Sequence, residues 1–529
     1  MKKIFRYIFL GAVVMGVSSC EKYLDINENP NNLTSATPGL VLPQALVGTA
    51  AITSNFNNSL ADIGGQRANA GGFGGFGAVV TYEWTNLTFE GLWTSSYNNA
   101  QDYQYVLDNT DGDATLVYSN SIARIMKSFV FARLVDHFND VPYTEALKGQ
   151  KLLLPKYDKG EDIYKDLITQ LGIASKAIIN ARAVNTTSSV PADTDPMFKG
   201  DMNRWIQFAN TLKLRLLVRI AQVPSSRAFA NTEFATLAGV SFLTDDAMVN
   251  PGYLKQMASE TQTRQNPQYN SLGWLVDNTR SITSRIPTRW VYTFYNNAKL
   301  NDQWRGSVIY RNFPNTPINQ LGDESAGVAP TLAAGTSWST NTASTTALGI
   351  AKGPTQGQPI ILAAESFFLQ SEAFTRGYLS GNAALAFNDG ITASFNYLYK
   401  NANDAVDPAK NVATDVAAYK AANSLSLLVD FSLAITPEQQ IEAIITQKYI
   451  ALNMIHSDEA YNEFKRTRYP AIVNGSLTST LTFASRQSTS SRADKLPSRL
   501  LYPQIEFNLN SANVPAGITQ YSTVFWDLN

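Results

Sequence analysis

Residues 360–399 read IILAAESFFLQSEAFTRGYLSGNAALAFNDGITASFNYLY. Apolar residues recur every three or four positions on both sides of a break at 377–381, where Gly377 and Gly381 bracket a short turn. That period is helical, and the break is too glycine-rich to continue a helix. The spacing predicts two helices, 360–376 and 383–399, folded back on each other. Such a pair has the length of one tetratricopeptide unit, about 34 residues, although the repeat signature is met only in part.

The same period runs outward along the chain. Trp93, Tyr97, Ala100, Tyr103 and Leu107 form one face within 82–109, and Ile122, Ile125, Met126, Phe129 and Ala132 form another within 121–137. Ile163, Leu167, Leu171 and Ala174 repeat it over 162–179. Trp205, Phe208, Ala209, Leu212, Leu216 and Ile220 carry it after Asp201, a candidate N-cap, with Lys213, Arg215 and Arg219 lying off the apolar face. Thr436-Pro437-Glu438-Gln439 has the capping-box pattern with proline in the first turn, ahead of Ile441, Ile444, Ile445 and Tyr449. A first helix is expected over 40–63. The fold class is mainly α, with helix pairs, long irregular loops and minor β. The least regular part is 225–358, rich in Asn, Thr, Ser and scattered aromatics; loops of such length carry function or are disordered.

The front of the chain reads differently. Lys2, Lys3 and Arg6 precede an apolar run at 8–17, too short to span a bilayer, which takes about 20 residues. Ser18, Ser19 and Cys20 follow, then Glu21 and Lys22, the pattern of a secretory leader. Cys20 is the only cysteine, so it makes no disulfide within the chain. Val17-Ser18-Ser19-Cys20 resembles a bacterial lipobox, whose cysteine is acylated by palmitate-type chains and becomes the first mature residue. The expected organisation is a signal peptide over 1–19, a lipid-anchored flexible tether over 20–43 and a single helical domain over 44–529.

Composition and motifs exclude several classes. At 44% hydrophobic and 16% charged residues the chain is globular. Its formal charge is −1, and loss of Lys2, Lys3 and Arg6 with the leader makes it more acidic, so no basic nucleic-acid footprint exists. No later apolar run suits a membrane-spanning helix. The glycine-rich GGQRANAGGFGGFG at 64–77 lacks the strand–helix context and closing lysine of a nucleotide loop, and reads as a flexible loop carrying Phe73 and Phe76. Asp108, Asp111 and Asp113 lack the glycine position and closing glutamate of an EF-hand and read as a solvated turn. His137 and His456 are the only histidines, with no cysteine or histidine cluster, and read as structural. No cofactor or metal is called for.

Several stretches, taken in order, resemble the SusD/RagB family of outer-membrane lipoproteins. CEKYLDIN at 20–27 looks like the family's start, and SIARIMKSFVFARLVDHFNDVPY at 121–143 is similar to its long helix, with Asn139 where glycine is usual. DPMFKGDMNRWIQFANTLKLRLLVRIA at 195–221 and AAESFFLQSEAF at 363–374 resemble two further family helices. IITQKYIALN from 444, EAYNEFKRTRYP ending at 470, and RLLYPQIEFNLN at 499–510 complete the series, the last without the family's second proline. The resemblance implies a SusD-like fold and a non-catalytic role: a surface lipoprotein that binds a nutrient and acts as the lid of a SusC-like TonB-dependent transporter.

A glycan face needs aromatic platforms, because sugar rings present C–H faces to aromatic rings. Trp93 and Trp205 sit on apolar helix faces and are assigned to packing. The candidates in irregular segments are Tyr82, Trp84, Trp274, Trp290, Tyr292, Trp304 and Trp338. A peptide ligand would rely more on backbone hydrogen bonds. The enzyme alternative, a secreted glycosidase, needs two carboxylates about 5–5.5 or 6.5–9.5 Å apart across a cleft. Glu365 and Glu372 are two helical turns, about 10 Å, apart along one helix, and ion pairs with basic neighbours explain them better. A purely structural tetratricopeptide adaptor is the third reading, but it has no use for the long aromatic-rich insertion.

Overall fold

A computed structural model describes residues 37–185, 187–255, 264–325, 336–338 and 347–529. The leader, Cys20 and the tether as far as residue 36 lie outside the described residues. Helix α1 (Pro38–Leu60) begins inside the stretch expected to be tether. Thr37 is extended and Pro38 takes the first helical position, where its missing N–H forfeits no bond. Pro43 sits early in the helix, where it removes only one hydrogen bond.

The long helices stack in chain order. α1, α2 (Glu90–Asp108), α3 (Val117–Phe138), α4 (Gly160–Val184) and α5 (Met202–Ile220) each pack on the next, with α6 (Arg227–Ala235) against α5. α7 (Ala363–Thr375) rests on α5 and pairs with α8 (Ala383–Tyr399), which α9 (Val412–Ala422) covers. α10 (Pro437–Ala451) returns to α7 and α8, and α11 (Ser457–Thr467) packs on α10 and on α1. The array therefore closes on itself. At the closure Asn57 Oδ1 accepts from Ser457 N and Oγ at 2.9 and 2.7 Å, and Asn57 Nδ2 donates to Met454 O at 3.0 Å. Gln66 Oε1 accepts from Met454 N at 2.6 Å and lies 2.6 Å from Ser457 Oγ, sharing that hydroxyl with Asn57.

Both caps read from the sequence form. Asp201 accepts from Asn203 N and Arg204 N, and Thr436 makes the reciprocal capping box with Gln439. The expected 360–376 helix is shorter. Gln358–Ile361 is strand β6, paired antiparallel with β4 (Ala247–Val249), because the branched Ile360 and Ile361 suit a buried strand. β2 (Val141–Pro142) pairs with β3 (Tyr157–Asp158), and β1 (Arg67–Asn69) with β5 (Arg285–Pro287), Asn69 opposite Arg285.

The glycine-rich run is only partly a loop. Residues 64–70 are buried, and at Gly65 (φ +76°) a Cβ would lie 2.4 Å from the Phe483 ring, so no side chain fits there. The exposed part is 72–77, apart from half-buried Phe73 and Phe76.

Lys213, Arg215 and Arg219 are all buried: Arg215 and Arg219 point into a buried ionic spine, while Lys213 meets Glu233 of α6 at 2.6 Å. Arg215 Nε meets Glu365 at 2.7 Å, and Arg219 Nη1 meets Asp136 at 2.6 Å. Lys448 lies 3.5–3.6 Å from Glu365, Glu459 and Glu463. Arg466 holds both oxygens of Glu372 at 2.7 and 2.6 Å, while Arg376 Nε reaches Glu372 Oε1 at 2.7 Å. The spine thus joins α3, α5, α7, α10 and α11. Burying such charges is tolerable only because each finds a partner.

Candidate ligand-binding site

The cleft with the features of a ligand site opens where α1 ends and α2 begins. It has a volume of about 450 Å³ and is lined by Asn58 and Ser59 of α1, Arg67 of β1, Phe89 and Leu92 at the start of α2, and Ser271 of a short helix (Pro267–Leu272). That size lies within the range of small-molecule pockets, about 300–1,000 Å³. The half-buried Phe89 ring is an apolar wall, and Trp84 stands edge-on behind it at 4.9 Å. Trp84 Nε1 and Asn58 Oδ1 are buried and have no hydrogen-bond partner among the described residues.

Arg67 fixes the polar side. Its Nε donates to Asp62 Oδ1 at 2.7 Å and its Nη2 to Asn58 O at 2.6 Å. Arg285, on the paired strand, donates to the other oxygen of Asp62 at 3.3 Å and stacks its guanidinium 4.3 Å over the Phe76 ring. Burial raises the Asp62 carboxyl's pKa, but the two arginines more than offset this and hold it below the usual range. One carboxylate therefore serves two guanidiniums, leaving the site a surplus positive charge.

Beyond Ser271 the chain forms a small hairpin. Trp274 bridges Arg280, Leu275 N donates to Thr279 O at 2.8 Å, and Ser281 N to Gly273 O at 3.1 Å. Trp274 is half-buried at its base.

The seven aromatics proposed from the sequence divide sharply. Trp84 and Trp274 border this region. Tyr82, Trp290, Tyr292 and Trp338 have at most 2% of their surface exposed and present no face to a sugar. Tyr82 Oη accepts from Ser485 N, Lys299 Nζ covers the Trp290 ring at 3.1 Å, and Tyr292 packs on Tyr310 and Phe313. Trp304 is half-buried against Tyr419 of α9. Sequence reasoning did not single out Arg67, Asn58, Phe89 or Arg285. Arg67 is the one charged residue within 64–77, a signal available but unused.

Four larger hollows lie elsewhere among the described residues, two of them between the scaffold helices. One of about 910 Å³ between α4, α5 and α6 has no aromatic lining residue. The other, about 800 Å³ between α2, α3 and α4, has only Tyr143, whose hydroxyl donates to Asp166 at 2.5 Å.

Acid–base groups are absorbed by structure. Burial raises Glu372's pKa, yet Arg466 and Arg376 hold it below its usual value, so it has no proton to give. Glu365 is likewise held low by Arg215 and Lys448 against burial. His137 stacks on Phe56 at 5.1 Å, and His456 Nε2 lies 3.0 Å from Pro359 O; burial lowers both, His456 to about 4. Among the described residues no cluster of His, Cys, Asp and Glu could hold a metal, and no helix is long and apolar enough to cross a membrane.

A helical scaffold closed on itself, with a cleft of aromatic, amide and guanidinium groups at its irregular end, defines a binding protein. The chain belongs to the SusD-like family: the family model described as "Starch-binding associating with outer membrane" matches residues 30–503. SusD-like proteins are non-catalytic binding proteins associated with the outer membrane. No curated protein sequence matches the chain. Among solved structures it is similar to a chitin-binding protein, at 23% identity and TM-score 0.65, over 93% of this chain and 100% of that one. A SusD homologue from Bacteroides uniformis matches at 21% and 0.68 over 92% and 99%, and a chitin-binding SusD homologue from Flavobacterium johnsoniae at 20% and 0.66 over 92% and 99%. At these identities the likeness establishes the fold.

Proposed function

We propose that this chain is a cell-surface lipoprotein that captures an oligosaccharide in the Arg67–Phe89 cleft and delivers it, as a lid, to a SusC-like TonB-dependent transporter. The observation that carries the reading is the cleft: a half-buried ring beside a guanidinium, an amide and hydroxyls, the mixture that stacks on a sugar face and holds its hydroxyls. Two of the similar structures are of chitin-binding proteins, which supports a glycan over a peptide. The arginine-locked Glu365 and Glu372 count against a glycosidase. Cys20 is the proposed lipid attachment point, followed by a tether that ends near Pro38.

The test is titration of the purified mature chain with chito- and malto-oligosaccharides, followed by tryptophan fluorescence. Saturable change without product release is expected, with Phe89→Ala or Trp274→Ala losing about tenfold in affinity, or about 1.4 kcal/mol. Product formation, or no binding to any glycan, would refute it. In cells, Cys20→Ala should release the chain from membranes and abolish co-purification with a large barrel protein.

A further inference from the structure

Beside the cleft three half-buried residues each keep a buried polar atom with no hydrogen-bond partner among the described residues: Arg280 Nη1, Ser281 Oγ and Arg311 Nε. All three can donate, and two belong to guanidiniums. Backbone contacts draw their segments together. Trp274 bridges Arg280, Ser281 N donates to Gly273 O, and Arg311 N donates to Ser337 O at 3.0 Å. The Thr336 hydroxyl donates to Leu272 O, one residue beyond the cleft-lining Ser271. Burial lowers the pKa of the Arg311 guanidinium, and the nearby Arg280 lowers it further.

Other arginines find a partner: Arg124 donates to Gln170 and Arg499 to Phe138 O, although neither meets a carboxylate among the described residues. Arg67, Arg285 and Arg486 each meet a carboxylate within 3.3 Å. Among the described residues, neither Arg280 nor Arg311 meets one within 4 Å. The adjoining sequence 326–346 contains no Asp or Glu at all. Two like charges side by side, with buried donors unmet, raise the energy of the empty protein. A water molecule would satisfy a hydroxyl but leave the charge. An oxyanion answers both, since a guanidinium fork matches the planar edge of a carboxylate or two oxygens of a sulfate.

We propose that this patch recognises an anionic glycan, with a carboxylate or sulfate group of the sugar seated between Arg280 and Arg311 and Trp274 against the ring. The inference rests on reading the neighbouring cleft as a glycan site. It adds that the preferred ligand is acidic, and that the surplus charge of Arg67 and Arg285 extends the same field toward the cleft.

The experiment compares the full mature chain with its Arg280→Gln and Arg311→Gln variants. Binding is measured to polygalacturonate and its methyl ester, and to dextran sulfate and dextran. Melting is followed with and without inorganic sulfate or acetate. The wild type should bind one anionic polymer at least about tenfold tighter than its neutral parent, a preference falling below about twofold in each variant. The arm that responds tells carboxylate from sulfate. Both variants remove a like-charge contact, so their melting temperatures without ligand should equal or exceed that of the wild type, which shows that lost binding is not lost folding.

Neutral polymers binding as tightly as acidic ones would overturn the inference and leave the glycan reading standing. An acidic preference unchanged in both variants would also overturn it. No polymer bound, with sulfate or acetate still stabilising the wild type but not the variants, would keep the anion site and overturn its assignment to an acidic glycan, the glycan reading of the cleft being decided by the chito- and malto-oligosaccharide titration. No polymer bound and no anion effect would overturn the inference outright.

Discussion

Glu372→Gln isolates the buried ionic spine almost without changing shape. Glu372 is 1% exposed, and its carboxylate receives two charge-assisted bonds from Arg466 and one from Arg376. The amide keeps the volume but loses the charge, and its nitrogen turns a donor toward a guanidinium. Breaking one partner of a buried pair costs about 3–5 kcal/mol. At about 2.1 cal/mol/K per residue, roughly 490 folded residues give an unfolding entropy near 1 kcal/mol/K. The expected loss is therefore about 3–5 °C in melting temperature, measured by calorimetry. Adding Arg466→Met to Glu372→Met should recover part of the loss, because Glu463 keeps Arg219 at 3.1 Å and Lys448 at 3.5 Å. A shift below about 1 °C for Glu372→Gln, or a double variant as unstable as the sum of the single ones, would refute the account.

Stability should rise with pH from about 7 toward 10, because burial lowers Lys299, Lys352 and Lys465 to about 7 and Lys127 to about 8. The unfolded chain keeps those protons up to about 10.4 while the folded chain does not, so it binds more protons across that window. Above about 10 the trend should reverse, since tyrosines such as Tyr103 and Tyr310 are raised by burial and keep their protons only when folded. Denaturant midpoints at pH 7 and 9 check the rise, and Lys465→Met should flatten it. Thr436→Ala should cost about 1 kcal/mol, because it breaks the capping box of α10; an unchanged midpoint would show the cap to be redundant.

The scaffold was legible because helical period and capping chemistry are local. The 377–381 turn, the Asp201 cap and the Thr436–Gln439 box each need only a few neighbouring residues, and each formed. The pairing of Glu365 and Glu372 with basic groups was legible in kind but not in partner, since Arg215 and Arg466 come from other helices. The burial of Arg219 could not be read from its own helix, whose polar stripe looks like one made for water until four other helices cover it. Aromatic residues misled for the opposite reason. An irregular segment can run through the interior, so Trp290 and Trp338 sit in loops by sequence and in the core by structure. The cleft itself is assembled from 58–59, 67, 89–92 and 271, positions related only by the fold.

The clasp between α1 and α11 also has a mechanical meaning. Any load entering the chain ahead of Pro38 reaches α1 first. That helix is pinned near its far end by Asn57, whose partner Ser457 lies 400 residues along the chain. A pull from the front therefore meets a latch held by the last long helix, and the helices cannot be peeled away one at a time in order. The coil resists as a closed hoop, and the latch must open before the first helix comes free.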